Sequence, residues 1–299
     1  MNYDDVAAAY FGRSAEAVPQ PEVPGSPARR LRDALEPIAT QGWWAREPMT
    51  RLAALGLGFF EAYVWGRAAA LGTPSASVVV ATFGVFEPGL LGGVYERGRS
   101  AAGRDDVLAA RAEGASRAVA AVVDPKAAGE VADLLLRALD GLDGMGRPLF
   151  SALRELPLPS EPAGRLWRAA ELVREHRGDG HLAVLVGAGL DSVEANVLTE
   201  LWLGYGFGEY SGTRGWSAEQ LEAARASLEH RGWLVGTSLT EAGVRERGRL
   251  EALTDDSQAQ LVRMLATDLD RVVAAGERVS GALLQVPAFP ADPRKRAAG

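Results

Sequence analysis

His176 and His181 stand five residues apart in the run His-Arg-Gly-Asp-Gly-His. Histidine titrates closest to neutrality, so this pair is the first place to look for proton chemistry. Five residues broken by two glycines is not the i, i+4 spacing that brings two rings onto one metal from a single helix. Cysteine is absent, which removes disulfides, thiolate metal sites and cysteine nucleophiles together. No GxGxxG after a strand, phosphate loop, GxSxG elbow or EF-hand loop occurs, so neither a metal nor a cofactor is expected. Two readings of 176–181 stay open. In one, Gly178-Asp179-Gly180 turns a corner between two helices, Asp179 capping the second, with His176 at the C-terminus of the first, where the dipole favours its charged form. In the other, His181 faces a cavity as an acid, a base or a hydrogen-bond donor.

The aromatic residues cluster at Trp43-Trp44, Phe59-Phe60-Tyr63-Trp65, Phe83-Phe86 and along Trp202 to Trp216. Aromatics usually fill cores. In LWLGYGFGEYSGTRGW, however, they alternate with glycines, a pattern for a mobile loop with apolar faces that closes over a ligand or a partner. Trp43, Trp44 and Phe83 are therefore candidate pocket walls, and Tyr205 and Phe207 a candidate lid.

A chain of 299 residues with 47% hydrophobic and 24% charged content suffices for one large or two ordinary domains. Cap residues followed by acid or proline mark helix starts at Ser160-Glu-Pro, Asp124-Pro125, Asp191, Ser217 and Thr254-Asp-Asp, and glycines mark stops at Gly178, Gly204 and Gly232. In 129–142 apolar residues recur at helical spacing. Strand signal is confined to GWLVGTSLT, 232–240, and VVVAT at 78–82 reads as helix behind Ser75. The expected fold is mainly α, with two winged-helix-like helical halves and a short β-wing. Residues 1–27 read as an N-terminal arm carrying Tyr10 and Phe11, 28–145 and 146–286 as the two halves, and 287–299 as a flexible tail. No apolar run is long enough to span a membrane, and Asp4 and Asp5 occupy the place where a secretory signal needs positive charge; a cytoplasmic protein is expected.

The segment SAEQLEAARASLEHRGWLVGTSLTEAGVRERGRLEAL, from Ser217, resembles the latter half of a MarR-like winged-helix domain. Leu228, Glu229, Gly232 and Trp233 close the recognition helix, and Leu239, Thr240 and Gly243 begin the helix after the wing. The resemblance implies a fold and, through it, DNA. Charge argues the other way. The chain carries 39 acidic and 32 basic residues, a formal −7, and helix 217–231 holds Glu219, Glu222 and Glu229 against Arg225 and Arg231. A DNA-reading helix is normally basic. Arg245, Arg247 and Arg249 alternate with Glu246 and Glu251 and read as a solvated face.

Across 28–260 the sequence resembles an actinobacterial family with an assigned helix-turn-helix domain, through LEPIATQGWWAREP, ATFGVFEPGLL, GRPLFSALRELPLPSEP, EHRGDGHLAVLVGAGLDSVEA and TRGWSAEQ. Relatives often carry histidine at the place of Ala39 and Asn-Phe-His/Asn-Pro at that of Val85-Phe86-Glu87-Pro88, so if those positions line a pocket, Glu87 brings a carboxylate into it. The resulting expectation is a protein that binds a small apolar or aromatic organic molecule and performs a cofactor-free acid–base step with Glu87 and His181. His176, Trp43, Trp44, Phe83, Tyr205 and Phe207 would line that site, and a homo-oligomer or a protein partner is expected. The alternatives are a DNA-binding regulator and a noncatalytic partner subunit.

Overall fold

Proline in the first turn opens five of the helices in a computed structural model, which describes residues 25–286. Ser26, Glu87 and Asp124 each accept backbone N–H groups from the first turn of the helix they precede, and Arg147 and Glu161 precede the other two. Proline costs nothing at the first helical position, where the N–H has no intrahelical partner. The order is α1 (Pro27–Ala39), α2 (Gln41–Trp44), α3 (Arg46–Ala54), α4 (Phe59–Ala68), α5 (Ala76–Phe83), α6 (Pro88–Ala101), α7 (Arg104–Ala120), α8 (Pro125–Asp140), α9 (Pro148–Arg154), α10 (Pro162–Gly187), α11 (Ser192–Trp202), α12 (Ala218–His230), β1 (Leu234–Val235), β2 (Ser238–Leu239), α13 (Glu241–Asp256), α14 (Ala259–Leu265) and α15 (Leu269–Leu283). The fold is mainly α. VVVAT is helical, within α5. The arm and tail expected at 1–27 and 287–299 lie almost wholly outside the described residues.

Three large apolar clusters hold these helices. The first combines Leu31, Leu35 and Ile38 of α1 with Leu135 of α8, Phe150 of α9, Trp167 of α10 and Val272 of α15, so it draws on both sides of residue 145. The second is confined to 49–107, around Trp65 and Tyr95. The third joins the end of α10 to α11, α12, β1 and α13 through Leu198, Leu228 and Leu250. Among the described residues no single helix is long and apolar enough to cross a membrane.

β1 and β2 pair antiparallel, Leu234 opposite Leu239 and Val235 opposite Ser238, which leaves only Gly236-Thr237 at the tip. Thr240 then caps α13, accepting the Gly243 N–H at 3.0 Å and donating to the Gly232 carbonyl at 2.7 Å. Gly243 lies where an added Cβ would run into the Trp233 carbonyl. The Leu-Thr-x-x-Gly pattern thus records a helix start pressed against the first strand. Thr254 is not a helix start. It lies inside α13, with its hydroxyl donating to the Leu250 carbonyl at 2.7 Å.

Candidate functional site

The 26-residue helix α10 runs through the His-Arg-Gly-Asp-Gly-His segment without a break, so the expected corner between two helices does not exist. Each mid-helix glycine costs about 1 kcal/mol relative to alanine, and tertiary packing explains Gly180: a Cβ there would stand 2.5 Å from the Ser257 hydroxyl and 2.7 Å from the Arg147 guanidinium. Arg147 fills the remaining space, donating to the carbonyls of His176 and Ser257. Asp179 does act as a cap, but for another helix. Its carboxylate accepts the Phe150 N–H at 2.9 Å, in the first turn of α9.

Along α10, facing α1, α5, α11 and α13, is a cavity of about 380 Å³. Its walls include Arg29, Arg32 and Glu36 of α1, Tyr63 and Arg67 of α4, Phe83 and Phe86, Arg174, Glu175, Arg177, Asp179 and His181 of α10, Asn196 and Trp202 of α11, Tyr210 and Arg214, and Arg247 and Glu251 of α13. Arginines and carboxylates stand in these walls beside the aromatic rings.

Two ion-pair nodes shape it. At one, Glu251 takes guanidinium groups from Arg29, from Arg177 at 3.1 Å and from Arg247 at 2.6 Å, while Asp255 takes Arg29 at 3.3 Å and Arg177 at 3.2 Å. Three cations share two carboxylates there. At the other, Glu175 takes Arg67 and Arg174, both at 2.9 Å, and Arg174 reaches Glu36 at 3.1 Å. The guanidinium planes lie over aromatic faces: Arg67 is 4.5 Å from the Phe83 ring, Arg214 is 4.7 Å from Phe86 and 4.6 Å from Tyr210, and Arg247 is 4.5 Å from Trp202. Ring faces and carboxylates together hold these guanidinium groups in the cavity wall.

Protonation follows from burial and from these charges. Burial alone would raise Glu251 and Glu175, but the surrounding arginines outweigh it and hold both carboxyls below the usual range. Burial would also raise the Tyr63 phenol, yet Arg67, Arg214 and Arg174 bring it below its ordinary value; its hydroxyl accepts Arg67 Nη1 at 3.0 Å. Burial, with Arg247 adding repulsion, lowers His181 to about 3, and burial lowers His176 to about 4. Both rings are neutral at pH 7. Burial raises Asp179 to about 7.

These shifts predict how stability depends on pH. The two histidines contribute stability that is fully present above their unfolded value of 6.5 and is lost as the pH falls toward 4 and 3. Asp179 works in the opposite sense: its contribution is fully present below 3.8 and is lost as the pH rises through about 7. The Asp179→Asn variant is therefore expected to melt higher, relative to the parent chain, at about pH 8 than at about pH 5. Thermal melts of both proteins at the two pH values check this, and a difference that shrinks with rising pH contradicts it.

Of the residues singled out from the sequence, the cavity brings together His181 and Phe83. His176 turns away into the core, with Nδ1 at 2.9 Å from Gln258 Oε1 and its ring edge-on to Phe150. Glu87 does not line the cavity: its carboxylate accepts the Gly89 and Leu90 amides at 2.9 and 2.6 Å, occupied in capping α6. Trp43 is buried behind the wall under Arg67, Arg111 and Arg174, and Trp44 packs beside Phe59. Tyr205 stacks on Tyr210 with centroids 5.8 Å apart, and Phe207 packs on the cluster of Leu221 and Leu228. Neither lines the cavity, and the loop they occupy is pinned from within. Glu200, fully buried, accepts the amides of Gly208, Tyr210 and Ser211 at 2.7, 3.1 and 2.8 Å.

Sequence reasoning missed the arginines. Arg247 is only 4% exposed, whereas Arg249 is exposed and pairs with its neighbour Glu246. The available signal was Glu251, one turn after Arg247, which turns that pair inward together.

The surface that would meet DNA has a different character. On α12, Arg225 is held by Glu222 at 2.7 Å and Glu229 at 2.8 Å, and Arg231 is turned toward Glu194 and the Gly189 carbonyl. The hairpin tip carries no cation. The profile of a helix-turn-helix family matches residues 28–290. No curated protein and no solved structure matches the chain.

Proposed function

The chain belongs to the helix-turn-helix family, and on that footing we propose that it is a small-molecule-binding protein whose interior cavity receives a planar organic acid. The observation that carries this reading is the cavity itself, about 380 Å³ with guanidinium groups stacked on Phe83, Phe86, Tyr210 and Trp202. A flat ring suits the aromatic walls, and an anionic substituent suits the end of the cavity where Arg67, Arg174 and Arg214 surround the Tyr63 phenol. Cinnamate and its neutral counterpart cinnamyl alcohol provide the test. At about ten times its dissociation constant, cinnamate is expected to raise the melting temperature by about 3 °C, with the alcohol having no effect. Equal effects from the two probes overturn the reading. Of the expected acid–base pair, Glu87 is committed to its helix, and His181, neutral at pH 7, is left to accept a hydrogen bond from the ligand.

A second reading, a transcription regulator that reads DNA with α12, is favoured by the family match. The internal pairing of Arg225 and Arg231 weighs against it. It predicts salt-dependent, sequence-selective binding to the DNA upstream of the protein's own gene. A gel shift persisting at physiological salt would establish this reading, and no retardation at micromolar protein would remove it.

A further inference from the structure

One cavity group is not used by either ion-pair node: the imidazole of His181. Its Nδ1 stands 2.9 Å from the Thr254 hydroxyl oxygen. Thr254 has one hydroxyl proton, and that proton is directed to the Leu250 carbonyl at 2.7 Å. The threonine oxygen is left as an acceptor, so Nδ1 of His181 must be the nitrogen that carries the hydrogen. Nε2 is then a bare lone pair. It makes no hydrogen bond, it is not among the occluded polar atoms, and its residue lines the cavity. Because the ring is held neutral at pH 7, this lone pair persists across the physiological range.

The groups around it decide what it accepts. Arg177, Arg247 and Arg29 all act electrostatically on His181. Glu251 opposes them there, but three cations to one carboxylate still repel an ammonium group, whereas a neutral donor meets no such penalty. The aromatic platform of Tyr63, Phe83 and Phe86 lies toward the other node, where Arg67 binds Glu175. Glu175 and His181 are six residues apart on one continuous helix, a rise of about 9 Å. The two residues thus place the ends of the cavity at different heights along α10.

Resting on the reading of the cavity as an organic-acid site, we propose that it selects planar acids bearing a hydroxyl group at the end remote from the carboxylate. The carboxylate lies at the arginines around Tyr63, and the hydroxyl donates to Nε2 of His181. Discrimination arises because a ligand without a donor buries the imidazole lone pair unpaired, whereas a hydroxyl satisfies it.

Three probes of nearly equal shape test this: 4-hydroxycinnamate, 4-methoxycinnamate and cinnamate. By calorimetry on the full chain, the hydroxy acid is expected to bind at least about tenfold tighter than either of the others. The His181→Leu variant should bring the three affinities within about twofold of one another while cinnamate binding itself survives. Equal affinity for the hydroxy and methoxy acids in the parent chain overturns the proposal but leaves the organic-acid reading standing. Failure of all three to bind removes both. Should His181→Leu not fold, the nitrogen-15 spectrum of the parent chain serves instead. An unprotonated Nε2 that shifts on adding 4-hydroxycinnamate but not 4-methoxycinnamate supports the proposal, and a protonated Nε2 overturns it.

Discussion

Replacing Glu171 with glutamine is expected to reduce the unfolding free energy by about 3–5 kcal/mol. Glu171 is 1% exposed and forms ion pairs with Arg111 and, at 3.2 Å, with Arg168. Both arginines are themselves buried and lie over tryptophan faces, Arg111 at 5.2 Å and Arg168 at 5.1 Å from Trp167. Burial already lowers Arg168, the sign of a cation held at a desolvation cost that its partner offsets. Glutamine preserves the shape and removes the charge, leaving two guanidinium groups close together with no counterion. Breaking such a buried set by removing one member is costly, whereas replacing every member with apolar residues of similar volume is often neutral. A triple variant with methionine at 111 and 168 and leucine at 171 is thus expected to recover most of the loss. Denaturant titration of the three proteins checks both statements, and a Glu171→Gln midpoint indistinguishable from the parent's contradicts the first.

Glu200→Ala should have an effect of similar size, concentrated in one loop. Three amides, those of Gly208, Tyr210 and Ser211, the last two buried, lose their acceptor at once, and each unsatisfied buried donor costs about 1–3 kcal/mol. Those amides hold the aromatic-glycine segment in place, and its far end is tied to the rest of the chain by the bonds from Trp216 Nε1 to the Val85 carbonyl and from the Glu87 amide to the Arg214 carbonyl. Hydrogen exchange at 205–216 is expected to accelerate by at least about a hundredfold while α8 and α10 stay protected. Because Tyr210 and Arg214 line the cavity, cinnamate affinity should fall as well. Unchanged exchange across the loop would show that Glu200 is not its anchor.

The same loop shows how far local reading extends. Alternating aromatics and glycines suggest mobility when the neighbours in sequence are the whole context. The residue that cancels the mobility is an unremarked glutamate near the end of α11, and its role depends on a fold that returns three amides to one carboxylate. His-Arg-Gly-Asp-Gly-His presents the same difficulty. Two glycines break a helix on propensity grounds, but Ser257 and Arg147 press on α10 there and need the missing side chain. Asp179 was recognisable as a cap. Which helix it caps was not, because a carboxylate serves amides nearby in space as well as those next in the chain.

What the sequence determined by itself is what rests on short-range chemistry: the mainly helical class, the caps at Ser217, Asp191 and Asp124, the helical run of valines in α5, the hairpin before Thr240 and the acidic bias of α12. Hydrogen bonds to an adjacent turn and hydrophobic periodicity involve residues within a few positions of each other, so their pattern is visible in one dimension. Only the tertiary structure decided the cationic cavity. An arginine on an exposed face and an arginine facing an interior carboxylate have the same spacing, and Arg29, Arg177 and Arg247 converge on Glu251 from three different helices. Electrostatic interaction depends on distance through space, and that distance is set only when the helices pack.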